Sequence, residues 1–206
     1  MSFTFIIGAL VAYLLGSIPS GLWIGQTFFQ KDIREFGSGN LGSTNAFRVL
    51  GPKAGSVVLF CDVFKGSLAT ILAMTILKQP SISPLWIASF AVIGHTFPLF
   101  ASFKGGKAVA TFAGMILAYQ PLLLLYGLII FLVLLAITRM VSLTAMVTIS
   151  IGVLLSLLFN DWVLTAFALA IDIFIIYRHR ANIQRILNGT ENKVPMPWDK
   201  KNKDTK

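Results

Sequence analysis

Acidic residues are scarce in this sequence: eight Asp and Glu stand against seventeen Lys and Arg in 206 residues, and charges of both signs make up only 12%. Soluble globular domains carry about 25% charged residues, so this chain lacks the means to cover itself for water. Its hydrophobic content of 56% and mean hydropathy of +0.80 point to an integral membrane protein. Cysteine occurs once, at Cys61 within an apolar run, which excludes an intramolecular disulfide and a thiolate metal cluster. Histidine occurs twice, at His95 and His179, and the acidic residues show no ligand spacing, so neither a metal nor another cofactor is expected. The signature G-x-x-x-x-G-K-[ST] is missing, so nucleotide hydrolysis is not indicated. A basic region before the first apolar run and an A-x-A cleavage site are also missing, and the N-terminus reads as a retained span, not a removed signal peptide. No internal repeat of the kind found in inverted-repeat transporters is visible.

What is present in abundance is apolar sequence. Uncharged or nearly uncharged stretches run over residues 3–25, 54–77, 84–102, 108–138, 140–159 and 162–177. Each reaches across a hydrocarbon core of about 30 Å or comes close. As one helix at about 1.5 Å per residue, the stretch 108–138 would be about 46 Å long, so it is expected to break and fold back at Tyr119-Gln120-Pro121, because a residue preceding proline is pushed out of helical geometry. The resulting expectation is an all-α fold of seven transmembrane helices, N-terminus outside and C-terminus cytoplasmic. Charge placement favours that count: all of the seventeen Lys and Arg except Lys65 and Lys78 then fall on the inner side, as the positive-inside rule demands. Orientation in the bilayer also accounts for the formal charge of +9 without nucleic acid as a partner.

Three polar segments then face the cytoplasm. The first, FGSGNLGSTNAFRVLG at 36–51, offers glycines Gly37, Gly39 and Gly42, whose backbone N–H groups suit an oxyanion nest, with Ser38, Asn40, Ser43, Thr44 and Asn45 as neutral donors. Arg48 adds a guanidinium fork that matches phosphate. The same composition also suits a solvated loop between helices. The second, FKGGK, carries Lys104, Gly105, Gly106 and Lys107 at a helix start, where an anion is favoured and where lysines also anchor helices to headgroups. The third, RHRANIQRILNGTENK at 178–193, puts His179 and Asn182 one turn apart on a face away from the stripe Ile183, Ile186 and Leu187; a basic helix lying on the membrane surface reads the same way. Within the bilayer, Asp62 and Lys65 share a helix face and are expected either to pair or to line a polar cavity, while His95 suits a helix–helix hydrogen bond. Cations converging on one leaflet fit an enzyme of anionic lipid-like substrates or a transporter of an organic phosphate, and spacing does not choose between them.

The motifs do choose. SGNLGSTNAFR at 38–48, DVFKG at 62–66, GHTFPLFASFKGGKAVAT at 94–111 and HRANIQRILNGTE at 179–191 occur in the order and spacing of one motif set. The chain resembles the bacterial acyl-phosphate-dependent glycerol-3-phosphate acyltransferases of the PlsY type over nearly its whole length. It departs at Ala108, where many members have glycine. The resemblance implies transfer of a fatty acyl group from acyl phosphate to the 1-hydroxyl of sn-glycerol 3-phosphate at the cytoplasmic face of the inner membrane, with membrane lipids as surroundings. It implies that Ser38, Arg48, Lys107, His179 and Asn182 contact the substrates' polar groups, that the glycine loop holds phosphate, and that Asp62, Lys65, His95 and Glu191 support them. Residues 1–193 are read as one transmembrane acyltransferase domain and 194–206 as a charged, disordered tail. The His-x4-Asp pattern of many other glycerophosphate acyltransferases is missing: Phe100 stands five positions after His95 and Gln184 five after His179.

Overall fold

The computed structural model describes residues 3–76 and 83–195. Lys78 and nearly all of the expected disordered tail lie outside them. The regular structure among the described residues is entirely helical, and the chain forms two compact units, Met1–Leu122 and Leu123–Lys206.

The first unit holds α1 (Phe3–Gly16), α2 (Ser20–Phe29), α3 (Ser43–Leu50), α4 (Pro52–Ile76), α5 (Leu85–Thr96) and α6 (Val109–Tyr119). The apolar stretch 3–25 is not one helix as the sequence suggests but two, α1 and α2, separated at residues 17–19. Pro19 has no N–H to continue the ladder, and the Ile18 carbonyl accepts from Ser20 N at 3.1 Å and from Lys65 Nζ at 2.9 Å. α4 packs most closely on α6 and α1 on α5. Both contacts are built from small residues, the usual means of bringing transmembrane helices together. A side chain at Gly66 would run into the Thr111 carbonyl, and one at Gly114 into that of Val63. Ser67 Oγ bonds Gly114 O across the same seam at 2.8 Å. A core cluster of Leu22, Ile33, Leu41, Ala46, Leu50, Val58 and Ala101 ties α2, α3 and α4 to the segment after α5.

The second unit holds α7 (Pro121–Thr138), whose first turn carries the boundary between units, α8 (Val141–Ser156), α9 (Trp162–Arg178) and α10 (Arg180–Leu187). The helix break expected at Tyr119-Gln120-Pro121 is present: α6 ends at Tyr119 and α7 starts at Pro121, where proline's missing N–H is harmless in a first turn. α8 packs on α9, and Ser150 Oγ donates to the Asp172 carboxylate between them at 3.0 to 3.1 Å. Asp161 caps α9 by accepting from Leu164 N at 2.9 Å.

Among the described residues four helical stretches are long and apolar enough to cross a membrane: Phe3–Phe29, Pro52–Ile76, Pro121–Thr138 and Val141–Phe159. Trp162–Arg178 with Arg180–Leu187 makes a fifth, bent by 61°, and Leu85–Ala101 and Val109–Tyr119 are shorter apolar helices. The chain is thus an all-helical integral membrane protein.

Candidate active site

The Gly-rich loop is shaped by its own side chains. Asp32 caps the short turn Ile33–Glu35 through Arg34 N and accepts from the Arg34 guanidinium with both oxygens, at 2.5 to 3.0 Å. The Arg34 bonds hold the Asp32 carboxyl below the usual carboxylate range, outweighing its partial burial. Beyond it the chain reverses through Gly37 and Gly39, both left-handed with φ of +62° and +67°, a region costly for other residues. Asn45, only 1% exposed, is the strut beneath. Its Nδ2 donates to Ile33 O at 2.9 Å and Phe36 O at 3.1 Å, and its Oδ1 accepts from Ser38 N at 2.9 Å.

Those bonds change the sequence reading. Asn45 was expected to offer its amide to phosphate, yet both its donor hydrogens are committed to carbonyls, so it shapes the loop instead. The N–H groups of Ser38, Gly39 and Gly42 are also engaged, with Asn45 Oδ1, Phe36 O and Asn40 Oδ1. In the second segment, Gly105 N and Gly106 N donate to Thr96 O and His95 O at 3.1 and 3.0 Å. A Cβ on Gly106 would collide with the His95 ring, so this glycine pair permits close packing rather than offering N–H groups to an anion. The donors that face outward are side chains: Ser38, Thr44, Arg48 and Lys104 are exposed, and Lys107 is half-buried. Arg48 makes no ion pair among the described residues. Ala108, the departure from the family pattern, adopts a left-handed conformation with φ of +61° before α6. Alanine there costs about 1 to 2 kcal/mol that glycine would not.

Beneath both segments lies the expected ion pair. Lys65 Nζ is 2.8 Å from Asp62 Oδ1, and His95 Nδ1 is 3.6 Å from the same oxygen. All three residues are buried. With Ser20, Leu41 and Gly106 they line a cavity of about 10 Å³, which brings the Gly-rich loop and the FKGGK turn to one place within the first unit. Ser20 and the Ile18 carbonyl, which the sequence reading missed, belong to this cluster; the S-I-P-S break was the available signal.

In the second unit His179 is buried and ends α9. Its Nδ1 lies 2.8 Å from Ile175 O. A carbonyl only accepts, so the neutral ring carries its proton on Nδ1 and keeps Nε2 as the acceptor. His179 sits at the bend as the N-cap of α10, and its carbonyl accepts from Asn182 N at 2.8 Å and Ile183 N at 2.9 Å, so the two residues lie one turn apart at the start of α10. Glu191 folds back to accept from Ser142 Oγ and Asn182 Nδ2 at 2.7 Å and from Arg185 Nε at 2.8 Å. Burial pushes the Glu191 carboxyl up, but those three bonds and the Arg185 charge outweigh it and hold it below its ordinary value. Glu191 therefore remains an ionised acceptor that orients the Asn182 amide. Ser142 and Arg185 were not foreseen, because hydrogen bonds from a turn after one helix to the start of another leave no periodic signal. Val194 N also bonds Arg139 O at 2.7 Å, so the chain is tied down one residue into the expected tail.

Comparison with known proteins gives one answer. The family model described as glycerol-3-phosphate acyltransferase matches residues 6–189. A glycerol-3-phosphate acyltransferase of Listeria welshimeri is 54% identical over 196 residues, covering 94% of this chain and 98% of the relative. One from Enterococcus faecalis is also 54% identical, covering 90% and 89%. Two crystal structures of PlsY (YgiH), an integral membrane glycerol 3-phosphate acyltransferase, are similar to this chain. Its lysophosphatidic acid form has a TM-score of 0.84 at 34% identity, covering 93% of this chain and 95% of that one. Its glycerol 3-phosphate form has a TM-score of 0.84 at 35% identity.

Proposed function

The chain belongs to the glycerol-3-phosphate acyltransferase family, and on that premise we propose that it transfers a fatty acyl group from acyl phosphate to the 1-hydroxyl of sn-glycerol 3-phosphate. The products are lysophosphatidic acid and inorganic phosphate, the first acylation of bacterial phospholipid synthesis. We further propose seven membrane crossings within residues 1–193, an outer N-terminus, and a site at the cytoplasmic face of the inner membrane. The observation that supports a two-phosphate site best is the approach of the Gly-rich loop to the FKGGK turn: Leu41 and Gly106 line one small cavity. Arg48, seven residues after Leu41, and Lys107, next to Gly106, are the cations assigned to phosphate, with Ser38, Thr44 and Lys104 as further donors. His179 and Asn182 are assigned to substrate polar groups on the motif likeness, and Glu191 to orienting Asn182.

Acyl phosphate is a mixed anhydride with an activated carbonyl and a competent leaving group. The protein therefore needs chiefly to hold two anions in contact and neutralise them, and proximity of that kind removes about 7 to 11 kcal/mol of barrier. The glycerol oxygen attacks the carbonyl, the C–O bond to phosphate breaks, and the leaving phosphate takes the alcohol proton. No covalent enzyme intermediate is required.

Purified protein given radiolabelled glycerol 3-phosphate and palmitoyl phosphate is expected to make lysophosphatidic acid, and to make none from palmitoyl-CoA. Uptake of glycerol 3-phosphate into vesicles without acylation would instead establish a transporter. The proton route has its own test. With phosphate as the acceptor, His179→Gln keeps single-turnover chemistry within about 100-fold of wild type at saturating substrates. Complete loss of chemistry with binding intact would make His179 Nε2 the general base.

A further inference from the structure

The small cavity beneath the Gly-rich loop and the FKGGK turn is walled by polar groups whose hydrogen bonding is incomplete. Asp62 Oδ1 faces Lys65 Nζ and His95 Nδ1, but Asp62 Oδ2 and Ser20 Oγ have no hydrogen-bond partner among the described residues. Asp62 is 1% and Ser20 6% exposed, so neither side chain can turn outward to find one. Both line the cavity. A carboxylate oxygen left dry at such a depth is costly, and buried polar atoms in folded proteins are almost always supplied with a partner.

Size and charge identify that partner. The volume of about 10 Å³ suits one water molecule and no organic ligand. The Asp62 charge is already balanced by the Lys65 ammonium at 2.8 Å, so the cavity calls for a hydrogen-bond donor and has no excess negative charge for a cation to neutralise. A water donates one hydrogen to Asp62 Oδ2 and accepts from the Ser20 hydroxyl, which has one hydrogen to give. Two such partners meet the minimum for a water held inside a protein.

We propose that this cavity is the binding site of a single water held by Ser20 and Asp62, and that Ser20 acts through it as a positioning residue for the FKGGK turn. With Oδ1 on Lys65 and His95 and Oδ2 on the water, the Asp62 carboxylate keeps one orientation. The His95 carbonyl in turn accepts from Gly106 N at 3.0 Å, and the His95 ring stands where a Cβ on Gly106 would fall. Lys107 is the next residue. Because Leu41 also borders the cavity, the water braces the Gly-rich loop against the turn. The consequence for phosphate rests on the acyltransferase reading, whereas the water site does not.

A high-resolution crystal structure of the full-length protein grown from lipid is expected to show a water within about 3.2 Å of both Ser20 Oγ and Asp62 Oδ2. A dry cavity, a direct bond between the two side chains, or a cation at that point would overturn the site. Kinetics test the role. Ser20→Ala removes one of the two groups that hold the water without filling the space, and should raise the KM for glycerol 3-phosphate about 10-fold with kcat little changed, since small misplacements remote from the chemistry cost up to about 100-fold. Ser20→Val fills the cavity, expels the water and should raise the KM further; if it does not fold, Ser20→Ala carries the test alone. A serine that merely packs α2 against α4 would lower the thermal stability of Ser20→Ala and leave its KM unchanged, and that result would overturn the positioning role. If no donor yields an acylated product, the acyltransferase reading fails by itself, while the crystal structure still decides the water site.

Discussion

Arg48→Ala is expected to lower kcat/KM for glycerol 3-phosphate by about 1,000-fold, the scale of removing one charge-stabilising donor from a phosphate or oxyanion site, while the protein keeps its fold and thermal stability. The two halves of that expectation have separate grounds. Arg48 is exposed on α3 and makes no ion pair among the described residues, so its loss leaves no buried charge behind, and such surface changes stay within about 0.5 kcal/mol. The functional half follows from what the other donors do. Arg34 is held by Asp32 at 2.5 Å, the Asn45 amide is committed to carbonyls, and the N–H groups of Gly39 and Gly42 are bonded within the protein. Arg48 is therefore the strongest donor on the loop that is directed outward. Arg48→Lys should recover part of the loss, because an ammonium keeps the charge but not the two-pronged geometry. Steady-state kinetics at saturating donor, with circular dichroism on the same samples, checks both halves. A variant that retains activity within about 10-fold would remove Arg48 from the phosphate site.

The coarse architecture was legible because it is written in composition. Apolar stretches marked the helices, and Pro121 marked the break that separates α6 from α7. Asp62 and Lys65 were readable as a pair because three residues of helix bring two side chains to one face and no lone charge is tolerated there. Other features were hidden for equally physical reasons. Pro19, flanked by Ser17 and Ser20, was a weak signal within the apolar run, and the Lys65 bond to Ile18 O that helps to make a break at 17–19 tolerable is a tertiary contact. Asn45 reads as a loop donor by type, but its burial at 1% turns it inward. Gly105 and Gly106 resemble an anion nest by spacing, whereas their close approach to His95 depends on a partner ten residues back in the chain. Glu191 could be singled out by its motif, yet its contact with Ser142 is a matter of tertiary folding that local sequence does not encode.

The buried pair beneath the site gives the largest expected effect on stability. Lys65→Met leaves Asp62 charged and unpaired in an apolar interior, with only His95 near, and should destabilise the protein by about 3 to 5 kcal/mol. Asp62→Leu combined with Lys65→Met removes both charges, and since apolar residues often replace a buried ion pair without loss, most of that stability should return. The recovery will be incomplete, because the double variant also loses the bond from Lys65 to Ile18 O, which then keeps only Ser20 N as its donor. Unfolding in detergent checks this order: wild type most stable, the double variant next, the single variant last. A double variant as unstable as the single one would show that the two side chains do not compensate each other. The same protein separates scaffolding from positioning. The pair abuts His95, and the His95 ring and carbonyl hold Gly106, the residue before Lys107. If the cluster fixes that turn, the double variant will be folded yet raise the KM for glycerol 3-phosphate, because Lys107 is no longer held where phosphate needs it. Full activity in a folded double variant would reduce Asp62 and Lys65 to a pair that only joins α4 to the α1–α2 break.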